Sequence, residues 1–166
     1  MTAAAAATSR TSGGNGWGLP ILAGGLAAGA LDISYAVLMT LSAGRDPAAM
    51  LRAISGGLFG LEAFQGGALM SVAGLALHFA MTLMMAAIFA AAIRAGLRSL
   101  RDYPLLSGPL YGAGVYLVMQ QVVLPLSRLP LPDPRAPINF LDLAVHMFLV
   151  GLPIALAAHA LAPKRS

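Results

Sequence analysis

The sequence predicts an all-α polytopic membrane protein, with four transmembrane helices in an up-down bundle and a short interfacial helix between the first two. Three observations predict it. Hydrophobic residues make up 58% of the 166-residue chain and charged residues only 10%, whereas a soluble domain carries about a quarter charged. Four stretches reach the roughly 20 apolar residues that a helix needs to cross a bilayer core. None alternates as a strand would, and only helices and closed barrels satisfy their backbone in lipid. Six acids and ten bases cannot cover the surface of a water-soluble protein of this size. That excludes a soluble enzyme, a disordered chain and a nucleic-acid-binding module. The net charge of +4 reflects scarce acids rather than a basic patch, and without cysteine there are no disulfides or thiolate-bound metals.

Residues 1–18 are mostly Ala, Ser, Thr and Gly without a long apolar run. They read as a disordered tail rather than a secretory signal. The transmembrane domain covers 19–162, and its first span, about 19–41, carries a single charge, Asp32. It reads as an uncleaved signal-anchor. Asp46 followed by Pro47 is an N-cap and a favoured first helical residue. Met50, Leu51 and Ile54 follow at helical spacing until Gly56 and Gly57 weaken the pattern. The prediction is a helix over about 47–55, lying on the outer surface or packed on the bundle. The second span, about 67–93, holds His78. The third, about 105–126, holds Gln120 and Gln121 near its end. Pro130, Pro132, Pro134 and Pro137 then make 127–139 an extended cover. Asn139 caps the fourth span, about 140–161, with Asp142 three residues on as a capping-box-like partner.

Basic residues set the direction. Arg10, Arg94, Arg98, Arg101, Lys164 and Arg165 share one side, and Arg45, Arg52, Arg128 and Arg135 the other. The dense 94–101 group places both termini in the cytoplasm. Gly25 and Gly29 in the first span, and Gly108 and Gly112 in the third, are GxxxG pairs that let helix backbones approach. Each opens a hairpin whose second helix carries a histidine, His78 or His146, which suggests a parallel internal repeat. The lipid bilayer is the first partner implied, and the glycine faces also permit a homo-oligomer or a place in a larger membrane complex.

The polar residues inside the spans gather toward one end. At about 1.5 Å per residue, Asp32 lies about 14 Å in from the outer end of its span, His78 about 16 Å, and Gln120 and His146 about 9 Å each. Tyr35, Tyr116 and Asp142 fall in the same half, while His159 stands apart at the inner end. Asp142 and His146 are four residues apart, as are Tyr116 and Gln120, so each pair can meet on one helix face. Intramembrane ionisable residues are functional candidates by default, but the same groups can simply fix helix register. Three functional readings stand beside that structural one. Asp32, His78, Asp142 and His146 can form a proton or small-solute relay, with Pro153 as a kink point in the fourth span. His78 and His146, on parallel helices, can ligate one haem b as an electron-transfer centre. Met81, Met84, Met85, Met119 and Met147 can join these histidines around copper(I), because thioethers suit that ion. The chain has no P-loop, HExxH, G-x-S-x-G or dinucleotide fingerprint, which points away from a conventional enzyme.

Four segments carry a resemblance: Gly29 to Ile33, Gly74 to Phe79, Gly108 to Gly112 running on to Leu126, and His146 to Pro153. Over roughly residues 20–162 the chain resembles small four-span bacterial inner-membrane proteins of no established activity. More distantly, its layout is similar to the YagU-type inner-membrane family. That family has a small-residue first span, a His-bearing second, a Gly-rich third ending near a proline, and a Gly-His in the fourth. This chain has Val145-His146 at the last point. The resemblance implies four spans and the bacterial inner membrane. It transfers no functional residue, and the acid-stress role linked to the YagU type is association only.

Overall fold

The computed structural model describes residues 16–129 and 138–163. Most of the predicted tail and the proline-rich part of the third connection lie outside them, as do Arg10, Arg135, Lys164 and Arg165. The described residues are helical almost throughout and contain no strand. Helix α1 spans Gly18–Ser42, α2 Pro47–Phe59, α3 Gly67–Arg94, α4 Ser99–Asp102 and α5 Pro104–Val118. A π-helical segment, Met119–Val123, continues α5. After the third connection come α6 (Phe140–Val145), a second π segment (His146–Gly151) and α7 (Leu152–Leu161), which together form one run.

Three helices are long and apolar enough to cross a membrane: α1, α3 and the α6–α7 run, of 25, 28 and 22 residues. At the α-helical rise these span about 33–42 Å, against a hydrocarbon core of about 30 Å. Their outer surfaces agree with that build. Leu38, Leu69 and Phe140 are 66, 72 and 76% exposed, an arrangement that water penalises and lipid does not. The core is thin and made of small residues: Ala28, Ala86, Ala155 and Ala158 pack around Phe89 and Ile154. The Pro104–Val123 run is not among those three. Gly108, Gly112, Gly114, two prolines and the paired glutamines dilute its apolar character, and its helix stops at Val123 instead of the predicted Leu126.

Packing follows the small residues. Helix α1 lies along α3 and against α7, α5 lies against the α6–α7 run, and α2 lies along α3. A Cβ on Gly25 would fall 2.8 Å from the Leu83 Cα, and one on Gly29 2.7 Å from the Phe79 ring. A Cβ on Gly108 would fall 2.8 Å from the Leu152 Cα, while Gly112 sits directly on the His146 carbonyl and Gly151 on the Gly108 carbonyl. Gly151 completes this second contact from the opposite helix. Between α3 and α5 the link is aromatic and polar: the Tyr111 hydroxyl donates to the Met85 carbonyl at 2.7 Å, and its ring meets Phe89 edge-on at 4.9 Å.

Helix α2 corrects the boundary read from the sequence. Asp46 caps it by accepting from the Ala48 and Ala49 N–H groups, at 2.9 and 3.2 Å. The helix then runs through Gly56 and Gly57 to Phe59 and continues as a 3-10 helix over Gly60–Gln65. The two glycines are close-approach points rather than a stop. Gly56 lies against Leu129, and the Gly57 carbonyl accepts from the Arg128 N–H at 2.9 Å. Along its length α2 packs on α3, where Gly74 sits directly under the Leu51 carbonyl and the Ser71 hydroxyl donates to the Ala48 carbonyl at 3.1 Å.

Candidate functional site

Small residues bring the helices close, and a gap remains between them. This cavity of about 60 Å³ is lined by Asp32 of α1 and by His78, Met81, Thr82 and Met85 of α3. Met119 and His146, the first residues of the two π segments, close it with Val150. On α3 the spacing does the positioning: residues 78, 81, 82 and 85 are one face of a helix. Helices α1 and α3 meet at the Gly25 and Gly29 contacts, and Asp32 lies one turn beyond Gly29 toward the cavity.

The two histidines present opposite nitrogens. The buried His78 ring places Nε2 3.0 Å from the Gly29 carbonyl. A carbonyl only accepts, so Nε2 carries the proton. Asp32 Oδ2 lies 4.0 Å from the same nitrogen, beyond hydrogen-bond length but close enough for an ion pair if the ring takes a second proton. His146 donates from Nδ1 to the backbone carbonyl of Asp142 at 2.8 Å, which leaves its Nε2 with a free lone pair. The expected pairing of His146 with the Asp142 carboxylate does not form. That carboxylate instead accepts from the Asn139 side-chain amide at 2.8 Å. Asn139 caps the helix, its own side-chain oxygen accepting from the Leu141 and Asp142 N–H groups.

Of the seven predicted polar residues, the structure brings Asp32, His78 and His146 to one cavity. Tyr116 stands behind it. Its ring meets His146 edge-on at 5.5 Å, and its hydroxyl accepts from the Asn139 N–H at 3.0 Å instead of bonding Gln120. Asp142 is tied to the cavity only through the carbonyl that accepts from His146 Nδ1, and Asp142, Tyr35 and Gln120 do not line the cavity. Met81, Met85 and Met119 do, whereas Met84 is exposed and Met147 lies off the lining. Thr82 carries no signal of its own in the sequence, although its place four residues after His78 puts it on the same helix face. Its hydroxyl donates to the Phe79 carbonyl at 3.1 Å.

A haem does not fit here. Pockets for ligands of that class run to about 300–1,000 Å³, and this cavity is about 60 Å³. The His78 Nε2 that would ligate iron is also turned to the Gly29 carbonyl. Among the described residues, no three His, Asp or Glu side chains are grouped to hold a metal ion. The cavity has room for a few water molecules or one small cation. No family model matches the chain, and no curated protein or solved structure does either.

Proposed function

We propose that the chain is a four-span protein of the bacterial inner membrane, with both termini cytoplasmic, whose interhelical cavity takes up protons or a small cation and relays them. The carrying observation is the cavity itself. One carboxylate and two imidazoles of opposite tautomer face a space large enough for water, inside helices that are otherwise apolar. Protonation of His78 would create an ion pair with Asp32 at 4.0 Å, and His146 offers a lone pair on the facing helix. Asp and His in such positions are the groups that intramembrane relays use. An even number of crossings is supported by the other end of the molecule. There Trp17, the 94–102 turn and Pro163 border one common pocket, so the chain enters and leaves on the side of the dense arginines. The surface reading of α2 belongs to the same proposal, with its outward face toward the bilayer boundary.

The test is proton flux into liposomes carrying an internal pH-sensitive dye, driven by an imposed potential. Wild-type protein should acidify the lumen, and Asp32→Asn should abolish flux while unfolding at the same temperature as wild type. Flux surviving in that variant overturns the relay and leaves Asp32 a packing role.

One observation favours a second occupant. Met81, Met85 and Met119 face the same space as the two histidines, which is a soft donor set suited to a monovalent ion such as copper(I). Titration against a coloured copper(I) chelator under reducing conditions should show one bound equivalent, lost in a Met81→Leu/Met119→Leu double variant. Methionines that only fill a gap would leave the chelator's copper untouched.

A further inference from the structure

At the opposite end of the molecule lies a larger and chemically different cavity. Its volume is about 330 Å³, and Arg94, Arg98 and Arg101 line it against one acid, Asp102. Three helix ends meet there. Trp17 precedes α1, Ile93 and Arg94 close α3, and Pro163 follows α7. Gly96, at φ +116°, turns the chain from α3 into α4, a conformation open to glycine and strained for other residues. That turn is what sets Arg98 facing the pocket beside Arg94.

The arginines do different work. Arg101 is already engaged: its guanidinium donates to the Ala162 and Pro163 carbonyls at 3.1 and 3.3 Å, closing the C-terminal end of α7. Its own carbonyl accepts from His159 Nδ1 at 2.9 Å. Among the described residues, neither the Arg94 nor the Arg98 guanidinium has a hydrogen-bonded or ion-paired partner. A cation at the end of α3 offsets the helix dipole, which accounts for Arg94 alone. It explains neither Arg98 nor a cavity of headgroup size. A guanidinium binds a phosphate bidentately through two parallel N–H donors. Two such forks around a half-open pocket, at the level where long apolar helices end, match a phosphate held at the membrane boundary. Trp17 supplies the aromatic residue favoured at that depth. Leu97, between the two arginines and 57% exposed, offers apolar surface for an acyl chain.

We propose that this pocket binds the phosphate of an anionic phospholipid headgroup, with Arg94 and Arg98 as the ligating residues and Arg101 as their support. The site rests on the membrane reading of the chain and is independent of the Asp32 cavity.

The test uses the full chain purified in a neutral detergent, with its melting temperature followed as phosphatidylglycerol, phosphatidylcholine or inorganic phosphate is added. Phosphatidylglycerol should raise the melting temperature at concentrations at least tenfold below those at which phosphatidylcholine acts. Arg98→Gln, on the exposed turn, should weaken that response about tenfold, and Arg94→Gln/Arg98→Gln should remove it. Native mass spectrometry of the same samples should show one retained anionic lipid in wild type and none in the double variant. Equal responses to the two lipids, or a phosphatidylglycerol response unchanged in Arg98→Gln, overturn the site. An equal shift with inorganic phosphate makes free phosphate the ligand and overturns the lipid assignment. Recovery of the chain in the soluble fraction after alkaline extraction of membranes would instead sink the membrane reading itself.

Discussion

Replacing Gly112 by alanine should push α5 off the α6–α7 run. The added Cβ would lie 2.7 Å from both the His146 carbonyl carbon and the Met147 Cα, with the His146 oxygen nearer still. All three obstacles are backbone, so no side chain can rotate away and the helices must part. Overpacking costs about 1–3 kcal/mol where side chains can adjust, and a rigid obstacle belongs at the upper end, about 3 kcal/mol. Alanine returns about 1 kcal/mol through its better helix propensity. The net loss is then about 2 kcal/mol, roughly 30-fold in the folding equilibrium. Gly114 is the control two residues along the same helix. A Cβ there meets nothing within 4 Å, so Gly114→Ala should gain about 0.5–1 kcal/mol. Reversible unfolding in mixed micelles, titrated with a denaturing detergent, measures both. Equal stability of the two alanine variants would refute the close contact between α5 and the π segment.

Three further outcomes follow from single contacts. Asp46→Ala removes two N-terminal hydrogen bonds from α2 and should cost about 1 kcal/mol. Amide exchange over 47–59 should quicken several-fold while α3 stays protected, and unchanged exchange in α2 would contradict the cap. His78→Phe removes the donor to the Gly29 carbonyl, which lies within α1 and keeps its helical partner. The loss should therefore be only about 1 kcal/mol, and an unfolded variant would show that His78 supports more than this bond. Tyr111→Phe deletes the hydroxyl bonded to the Met85 carbonyl and leaves the ring against Phe89. Unfolding should show a loss of about 1 kcal/mol, and no change would mean that packing alone joins α3 to α5.

The parts of the fold legible in the sequence are those set by local chemistry. Continuous apolar runs mark α1, α3 and the α6–α7 helix, because lipid asks only for length and apolarity. Asp46 and Asn139 announce helix starts, because a short polar side chain before an apolar run has one good use there. Other features depend on neighbours that no local pattern names. Gly56 and Gly57 look like a stop, yet Leu129 and Arg128 pack against them and the helix continues. Asp142 four residues before His146 offers two acceptors, a carboxylate and a carbonyl, and spacing does not distinguish them. The carboxylate goes to Asn139 because that amide is held beside it by the cap. The same limit applies to the cavity. Met81 and Met85 follow His78 on one face by spacing alone, but Met119 joins them only through the packing of α5.

The two π segments explain why the cavity lies where it does. A π turn carries an extra residue and widens the helix locally, and such turns recur at functional sites. Here one begins at Met119 and the other at His146, and both residues line the same space. Each segment lies just ahead of a proline: Pro125 shortly follows the first, and Pro153 sits in the first turn of α7 after the second. In a continuous α-helix Pro153 would clash with the carbonyl four residues back and remove a hydrogen bond. The π turn ahead of it shifts the bonding pattern from four residues back to five, which lets the run continue past Pro153. The glycines then act in the opposite sense. Gly108, Gly112 and Gly151 draw α5 and the widened run together beside the bulge. Close approach at the glycines and widening at the π turns together leave room for a few waters around Asp32, His78 and His146.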